Sequence, residues 1–266
     1  KAFGFHRMID QLGGIAGPIT AFFLIEWIGI RGIFLTSLIP SVIALIVLIF
    51  FVKEIAIKKC TNKTVFSNIG TLIRKNKWFV FLLVIGGIFG IGSFNFSFVL
   101  LKASDLGISR DFVPLVYAVI QGVYALMSIP AGILSDKIRK EYVLMLSYGV
   151  FLLSALLMMF LAGNSVYAFV IAVVFGTYWG ISETARTVII PRYVPRDLRG
   201  TAFGLFSLVT GGTFFVGNVL FGFLWDSYGL VQAVTYSLIV TSIAIFGMLF
   251  IIRKHHDDKG LIMTKT

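Results

Sequence analysis

The chain has 266 residues, of which 58% are hydrophobic and 13% are charged, with a mean hydropathy of +0.96. A soluble domain of this size has too much surface to bury so many apolar side chains, so the composition excludes a soluble protein and indicates an integral membrane protein. The net charge of +11 does not indicate a nucleic-acid-binding protein, because the basic residues lie between apolar stretches and not on one soluble face.

Eight apolar stretches are long enough to cross a membrane, because a helix of about 20 apolar residues spans the hydrocarbon with its backbone hydrogen-bonded internally. We therefore expect an all-α integral membrane fold with eight transmembrane helices. Before the third stretch, a basic connector contains apolar residues at helical spacing from Val65 to Ile73, which predicts a short helix on the membrane surface. The eight stretches cover residues 5–25, 32–52, 78–101, 113–134, 142–161, 166–190, 202–224 and 230–252.

The Lys and Arg residues predict how the chain is oriented in the membrane. Nineteen of them fall on one side of the predicted spans, and Arg31, Lys102 and Arg110 fall on the other. The positive-inside rule places the basic side in the cytoplasm, so we expect both ends of the chain to be cytoplasmic and the protein to lie in the plasma (inner) membrane. Cys60 is the one cysteine of the sequence, which excludes a disulfide within the chain and the spaced cysteine patterns of metal sites.

The beginning of the chain repeats a later segment at a constant offset of 200 residues. Residues 1–53 share thirteen identities with the segment 200 positions later, where roughly five are expected by chance. The matched positions include Gly17 with Gly217 and Gly29 with Gly229. We therefore interpret the first two predicted spans as an internal repeat of the last two.

The segment Gly132-Ile-Leu-Ser-Asp136-Lys-Ile-Arg-Lys140 lies in the basic loop after the fourth predicted span. It resembles the Gly-x-Leu-(Ala/Ser)-Asp-(Arg/Lys)-x-Gly-(Arg/Lys) loop of the major facilitator superfamily, with Arg139 at the family's second glycine. The resemblance implies two six-helix halves related by a repeat, of which this chain contains the equivalents of helices 5–12 and lacks helices 1–4. The implied parts are the last two helices of the N-terminal half (1–52), a cytoplasmic connector (53–77), a complete C-terminal half (78–253) and a cytoplasmic tail (254–266).

The loop also supplies candidate structural or gating residues. In the resemblance, Gly132 allows close packing where the helix ends, and Lys137 helps to hold the cytoplasmic side. We expect Asp136 to lie near Arg192, at the end of the sixth span, or near the N-terminus of the first span.

Charged side chains inside an apolar span are costly, so each is a candidate for function. Glu183 and Arg186 lie three residues apart on one helix face, where each can neutralise the other. They form either a proton-titrating or gating pair that faces a central cavity, or a structural ion pair that holds helices together, and the sequence leaves both interpretations open. Further candidates for the lining of the cavity are Asn95, Tyr117, Gln121, Tyr124, Tyr178 and Trp179.

The resemblance implies a secondary transporter that moves a small solute by alternating access. The segment Gly13-Gly-Ile-Ala-Gly17-Pro18 resembles a signature of proton-coupled drug exporters, and the scarcity of charge inside the spans suits amphipathic, drug-like solutes. We therefore expect a proton-coupled exporter that works as a monomer, with membrane lipid, a small solute and protons as its partners and without nucleic acid.

Two other functions stay open. One is an uptake symporter or facilitator for a nutrient or an organic ion, which differs in the direction of flux. The other is a truncated, non-transporting membrane scaffold or remnant. The sequence does not predict an enzyme, a metal site or a cofactor, because its three histidines, His6, His255 and His256, lie at the edge of the first predicted span and in the tail, and no phosphate-binding Walker pattern is present.

Overall fold

A computed structural model describes the backbone of residues 12–51 and 65–263 and the side chains of residues 13–50 and 69–254. The predictions for residues 1–11, 52–64 and 264–266 lie outside the described residues. Two short 3-10 turns, Arg110–Phe112 and Arg196–Leu198, directly precede the helices that begin at Val113 and Arg199. The helices are α1 (Leu12–Thr36), α2 (Leu38–Phe51), α3 (Val65–Lys75), α4 (Lys77–Gly92), α5 (Phe96–Asp105), α6 (Val113–Lys137), α7 (Lys140–Phe160), α8 (Val166–Tyr193), α9 (Arg199–Tyr228) and α10 (Leu230–Met263).

Seven helical stretches of the described chain are long and apolar enough to cross a membrane. The first of them, Gly13–Phe50, has 38 residues and contains parts of both of the first two predicted spans. A straight helix of this length would measure roughly 57 Å, nearly twice the thickness of the hydrocarbon core. Gly29 interrupts it with a non-helical backbone, at φ 63° and ψ 177°. The predicted all-α membrane fold is confirmed, and Gly29 lies between the two predicted spans.

Gly29 and Gly229, which the repeat pairs with each other, adopt similar backbone conformations. Gly229 separates α9 from α10 with φ 97° and ψ 169°, and it shares with Gly29 a positive φ and an extended ψ. Residues with a Cβ atom rarely adopt a positive φ, so a glycine is required at both breaks. The agreement supports the internal repeat on structural grounds.

The third predicted span, over residues 78–101, is not one continuous helix, and that part of the prediction is corrected. It consists of α4 and α5, and the backbone between Gly92 and Phe96 is not helical. Asn95 begins α5 as its N-cap, because its side-chain oxygen accepts a hydrogen bond from the backbone N–H of Ser97 at 3.0 Å. The glycines that precede the break lower the helix propensity of this part of the chain.

The helices pack in two groups, which meet where α7 packs against α10 and where α5 packs against α8. Helix α8 packs against α6 and α7, and α4 packs against α9 and α10, while α1 lies against α6. Gly176 and Gly180 set the distance between α6 and α8, since a Cβ atom at either would lie 2.6 Å from the carbonyl oxygen of Ile120 or Tyr124. Small residues four apart are the means by which membrane helices approach closely. The contact fixes the α8 turn that carries the predicted charged pair.

The helix predicted inside the connector is observed as α3. It packs against α4 and α9, and its Leu72 side chain is fully buried there. Ile73 is 45% exposed on the next position. The apolar face of α3 is therefore divided: Leu72 packs against the protein, and Ile73 is left on the exposed surface.

Candidate functional site

A cavity of about 250 Å³ lies beside the break between α4 and α5, and we refer to it as the central cavity. Its wall on α8 carries Tyr178, Trp179, Glu183 and Arg186, and its wall on the break includes Asn95. Five side chains that the sequence singled out therefore share one cavity. Its remaining lining consists of Gly90, Ser93, Phe94, Phe96, Phe175, Ser207, Thr210, Gly211 and Phe214.

The charged pair of α8 is intact and faces the central cavity. An Nη atom of Arg186 donates a hydrogen bond to Oε1 of Glu183 over 3.0 Å. The two side chains are 26% and 24% exposed, so each keeps some access to the cavity. Partial access to water reduces the cost of desolvating an ion pair, and it also lets the pair meet a solute or a proton. The ion pair of Glu183 and Arg186 therefore borders the space that a solute could occupy.

Aromatic rings form the wall of the cavity next to this pair. The ring of Trp179 stacks on Phe96 at 5.6 Å and on Tyr124 at 5.3 Å between centroids. Tyr117 extends the stack through Phe96, at 4.8 Å. Such rings offer an apolar surface on which different planar or hydrophobic solutes can pack.

Three of the predicted cavity residues, Tyr117, Gln121 and Tyr124, lie elsewhere on α6. Gln121 and Tyr124 are buried on α6, behind Trp179, and they do not line the central cavity. Helical periodicity had placed them in a membrane span without indicating which way they faced. Tyr124 supports the cavity wall through its ring contact with Trp179.

Hydrogen bonds from α9 and α10 satisfy the backbone where α4 and α5 separate. The Tyr236 hydroxyl donates to the carbonyl oxygen of Ile91 at 2.9 Å, and the backbone N–H of Asn95 donates to Oδ1 of Asn218 at 2.8 Å. A backbone polar group left without a partner in the hydrocarbon costs several kcal/mol, so irregular backbone survives there only with such support. These side chains therefore allow a helix break at the edge of the cavity.

Glu141 is a buried carboxylate that the sequence reasoning missed. It lies in the first turn of α7 and is 0% exposed. The Tyr193 hydroxyl donates to its Oε1 at 2.6 Å, and the side chains of Arg192 and Arg139 lie 3.4 Å and 3.8 Å from its oxygens. The network ties the end of α8 to the start of α7. An acidic residue directly after a basic loop was the available signal.

The loop motif therefore connects to α8 through Glu141. Gly132 is buried on α6, while Asp136 and Lys137 are exposed at the end of that helix. The carboxylate that lies against Arg192 is Glu141. The predicted proximity of Asp136 to Arg192 stays a prediction, and the alternative partner, the N-terminus of the first span, lies outside the described residues.

Small polar residues of α9 complete the cavity, and the sequence reasoning also missed them. Ser207 and Thr210 line it from one face of the helix, and the aromatic Phe214 follows on the same face. Their spacing of three and four residues was the signal that could have identified them. Over the described residues, no three His, Cys, Asp or Glu side chains come together in a way that could hold a metal ion.

Membrane-length helices surround a charged and aromatic cavity with a supported helix break at its edge, which is the architecture of an integral membrane helical bundle. A sequence model of the Major Facilitator Superfamily matches residues 1–209 and, in a second alignment, residues 81–265. The chain belongs to the major facilitator superfamily. The resemblance of the loop motif is thereby confirmed at the level of the family.

Two relatives from Methanocaldococcus jannaschii are similar over most of the chain. An uncharacterized MFS-type transporter, MJ1317, is 28% identical over 256 residues, which cover 90% of this chain and 63% of the relative. A second uncharacterized MFS-type transporter, MJ1560, is 25% identical over 244 residues, which cover 89% of this chain and 62% of the relative. The chain thus spans less than two thirds of the length of these relatives. Their transporter names agree with the expectation that this protein is not an enzyme.

Proposed function

We propose that the complete protein is a secondary active transporter that exports small amphipathic solutes in exchange for protons. The observation that carries this proposal is the shared lining of the central cavity by Glu183, Arg186 and Trp179. A cavity of about 250 Å³ is close to the lower end of the range for small-molecule sites. In the proposed two-half arrangement, the N-terminal half supplies the opposite wall.

In this mechanism Glu183 accepts the proton. Its carboxylate neutralises Arg186 at 3.0 Å while the site is deprotonated. While it is deprotonated, the carboxylate can also accept a hydrogen bond from a polar group of the solute, and the ring of Trp179 supports the apolar part. Protonation removes that negative charge and so weakens the binding of the solute. Solute and proton then compete for one site, and alternating access of that site to the two sides of the membrane couples their movements.

The membrane location proposed with this function is the plasma (inner) membrane with the basic ends cytoplasmic. The support is the distribution of Lys and Arg residues, of which Arg139, Arg192 and Arg196 lie near one end of the bundle, on or close to the α6–α7 and α8–α9 connections. Fusing a reporter that is active only in the cytoplasm to the C-terminus tests this orientation.

The test of transport uses the complete protein in liposomes with an imposed pH gradient and ethidium as a fluorescent amphipathic probe. Gradient-driven accumulation is expected with the unaltered protein and is expected to fall to the level of empty liposomes with Glu183→Gln. Asp226→Asn is the matched control, because it removes one exposed acid outside the cavity. If the Glu183→Gln variant still showed full gradient-driven accumulation, the charged pair would have a structural role and no role in coupling.

The same assay separates the other functions. Accumulation only when the gradient is reversed, or with a nutrient in place of ethidium and without a gradient, would indicate an uptake symporter or a facilitator. No flux of any solute in either direction would favour the non-transporting scaffold. The oligomeric state is proposed to be monomeric, and light scattering of the protein in detergent measures it.

A further inference from the structure

A second cavity, of about 380 Å³, lies where α3, α4 and α8 meet, and we refer to it as the basic cavity. Arg74, Lys75, Lys77 and Arg192 contribute four cationic side chains to its lining. Among the described residues no acidic side chain is part of the lining, which also includes Asn76, Trp78 and Tyr193. Four like charges around one space repel each other, and an anion placed among them would relieve that repulsion.

The fold holds these cations in place. Leu72 is fully buried and anchors the end of α3, one turn before the basic pair. The Asn76 side chain and backbone N–H both donate to the Leu72 carbonyl oxygen, at 3.2 Å and 3.1 Å, so the turn into α4 is fixed. Arg192 is oriented by its contact with buried Glu141 at 3.4 Å. The backbone that carries these cations is therefore fixed by structured elements, while the side chains of Arg74, Lys75 and Lys77 stay exposed.

An exposed row of aromatic rings begins at the basic cavity, and we refer to it as the aromatic track. Trp78 lies 5.9 Å from Phe81, and Phe81 lies 6.1 Å from Phe250, between ring centroids. Phe81 and Phe250 are 45% and 48% exposed. The ammonium group of Lys77 lies 5.2 Å from the ring of Trp78, as is common where a helix enters the headgroup region. The track offers an apolar surface that continues directly from a cluster of cations.

We propose that the basic cavity binds the phosphate headgroup of an anionic phospholipid whose acyl chain lies along the aromatic track. Arg74 and Arg192 supply planar guanidinium groups, which suit two oxygens of one phosphate, and Lys75 and Lys77 add point charges. A soluble phosphate would use the cations and leave the track unused. The continuity of the two surfaces therefore favours a lipid over a free anion as the ligand.

The test measures lipid retained by the purified chain in detergent, by native mass spectrometry during titration with phosphatidylglycerol. One tightly retained phosphatidylglycerol is expected, with at least about tenfold weaker retention of phosphatidylcholine, because cations near a membrane surface each favour anionic lipid. The double variant Arg74→Gln/Lys75→Gln is expected to weaken phosphatidylglycerol retention by at least about tenfold. Both residues are exposed, and circular dichroism verifies that the variant is folded.

The matched control is Lys137→Gln/Arg196→Gln, which removes two exposed cations outside the basic cavity. Equal weakening by the control and the test variant would overturn the proposal in favour of a diffuse basic surface. A further arm adds glycerol phosphate, which has the headgroup chemistry and no acyl chain. Binding of glycerol phosphate as tight as that of phosphatidylglycerol would also overturn the proposal, because it would identify a site for a soluble anion.

Discussion

Gly217→Ala should separate two helices that now touch through their backbones. Gly217 is buried on α9, and a Cβ atom there would lie 2.8 Å from the carbonyl oxygen of Gly90 and closer still to that of Ile91. Both contacts are with main-chain atoms, which cannot rotate aside as a side chain can. The substitution must therefore push α9 away from α4. Because the Ile91 carbonyl also accepts the Tyr236 hydroxyl, the shift would disturb the support of the helix break as well.

The magnitude follows from two opposing effects. Overpacking a well-packed contact costs about 1–3 kcal/mol. Alanine in place of glycine inside a helix returns about 0.5–1 kcal/mol. The difference is about 0–2.5 kcal/mol, and because the clash is with main-chain atoms, Gly217→Ala is expected to lower the free energy of unfolding towards the upper end of that range. Gly17, its equivalent in the repeat, has no neighbouring atom within 4 Å of an added Cβ, so Gly17→Ala is expected to be neutral or stabilising by about 0.5 kcal/mol.

Equilibrium unfolding of the detergent-solubilised chain, followed by circular dichroism, measures both variants. The pair is matched because both substitutions add the same methyl group to a helix of the same repeat. Equal effects at the two positions, or a stabilised Gly217→Ala variant, would refute the reasoning, because the close contact between α4 and α9 would then not limit packing.

Two further predictions concern buried polar groups, and the same unfolding experiment measures them. Asn218→Ala removes the acceptor of the Asn95 backbone N–H and should cost about 1–3 kcal/mol, whereas Asn164→Ala, which removes an acceptor in an exposed turn, should cost less than about 1 kcal/mol. Similar losses for both would show that the helix break does not depend on Asn218. Glu141→Gln should destabilise the protein by more than Tyr193→Phe, which removes one hydrogen bond to that carboxylate at a cost of about 1–2 kcal/mol. The reverse order would contradict a central role for the buried negative charge.

The positions of the spans could be predicted from sequence because lipid leaves the backbone few alternatives. A segment of apolar residues in the membrane satisfies its own N–H and C=O groups as a helix, so hydropathy alone places helices such as α6 and α7 within a few residues. The repeat indicated that Gly29 and Gly229 are equivalent positions, because glycine matches glycine there in the same register, and both prove to be helix breaks. Glu183 and Arg186 could be identified from the sequence because placing charged side chains inside a membrane span costs free energy in any fold.

The break between α4 and α5 could not be predicted in this way. Its stability depends on Asn218, which is 123 residues from Asn95 in sequence, and on Tyr236, which is 145 residues from Ile91. Nothing local to residues 92–96 shows that such partners exist. Glu141 was missed for a similar reason, because its hydroxyl partner Tyr193 lies 52 residues later and the local sequence shows only an acid beside a basic loop.

The two sides of the central cavity are held by different kinds of contact. On the α8 side, Gly180 places its backbone against that of Tyr124, and Glu183 follows within one turn, so the charged pair stands on a close-packed and inflexible support. On the opposite side, the backbone between α4 and α5 is held by hydrogen bonds from Asn218 and Tyr236, next to the contact of Gly217 with the carbonyl oxygens of Gly90 and Ile91. In a membrane, where lipid and side chains are equally apolar, such hydrogen bonds contribute only modestly to helix association. Movement of the break would therefore have to change hydrogen bonds and a backbone contact together, whereas separation of α6 from α8 would have to open the backbone contact at Gly180.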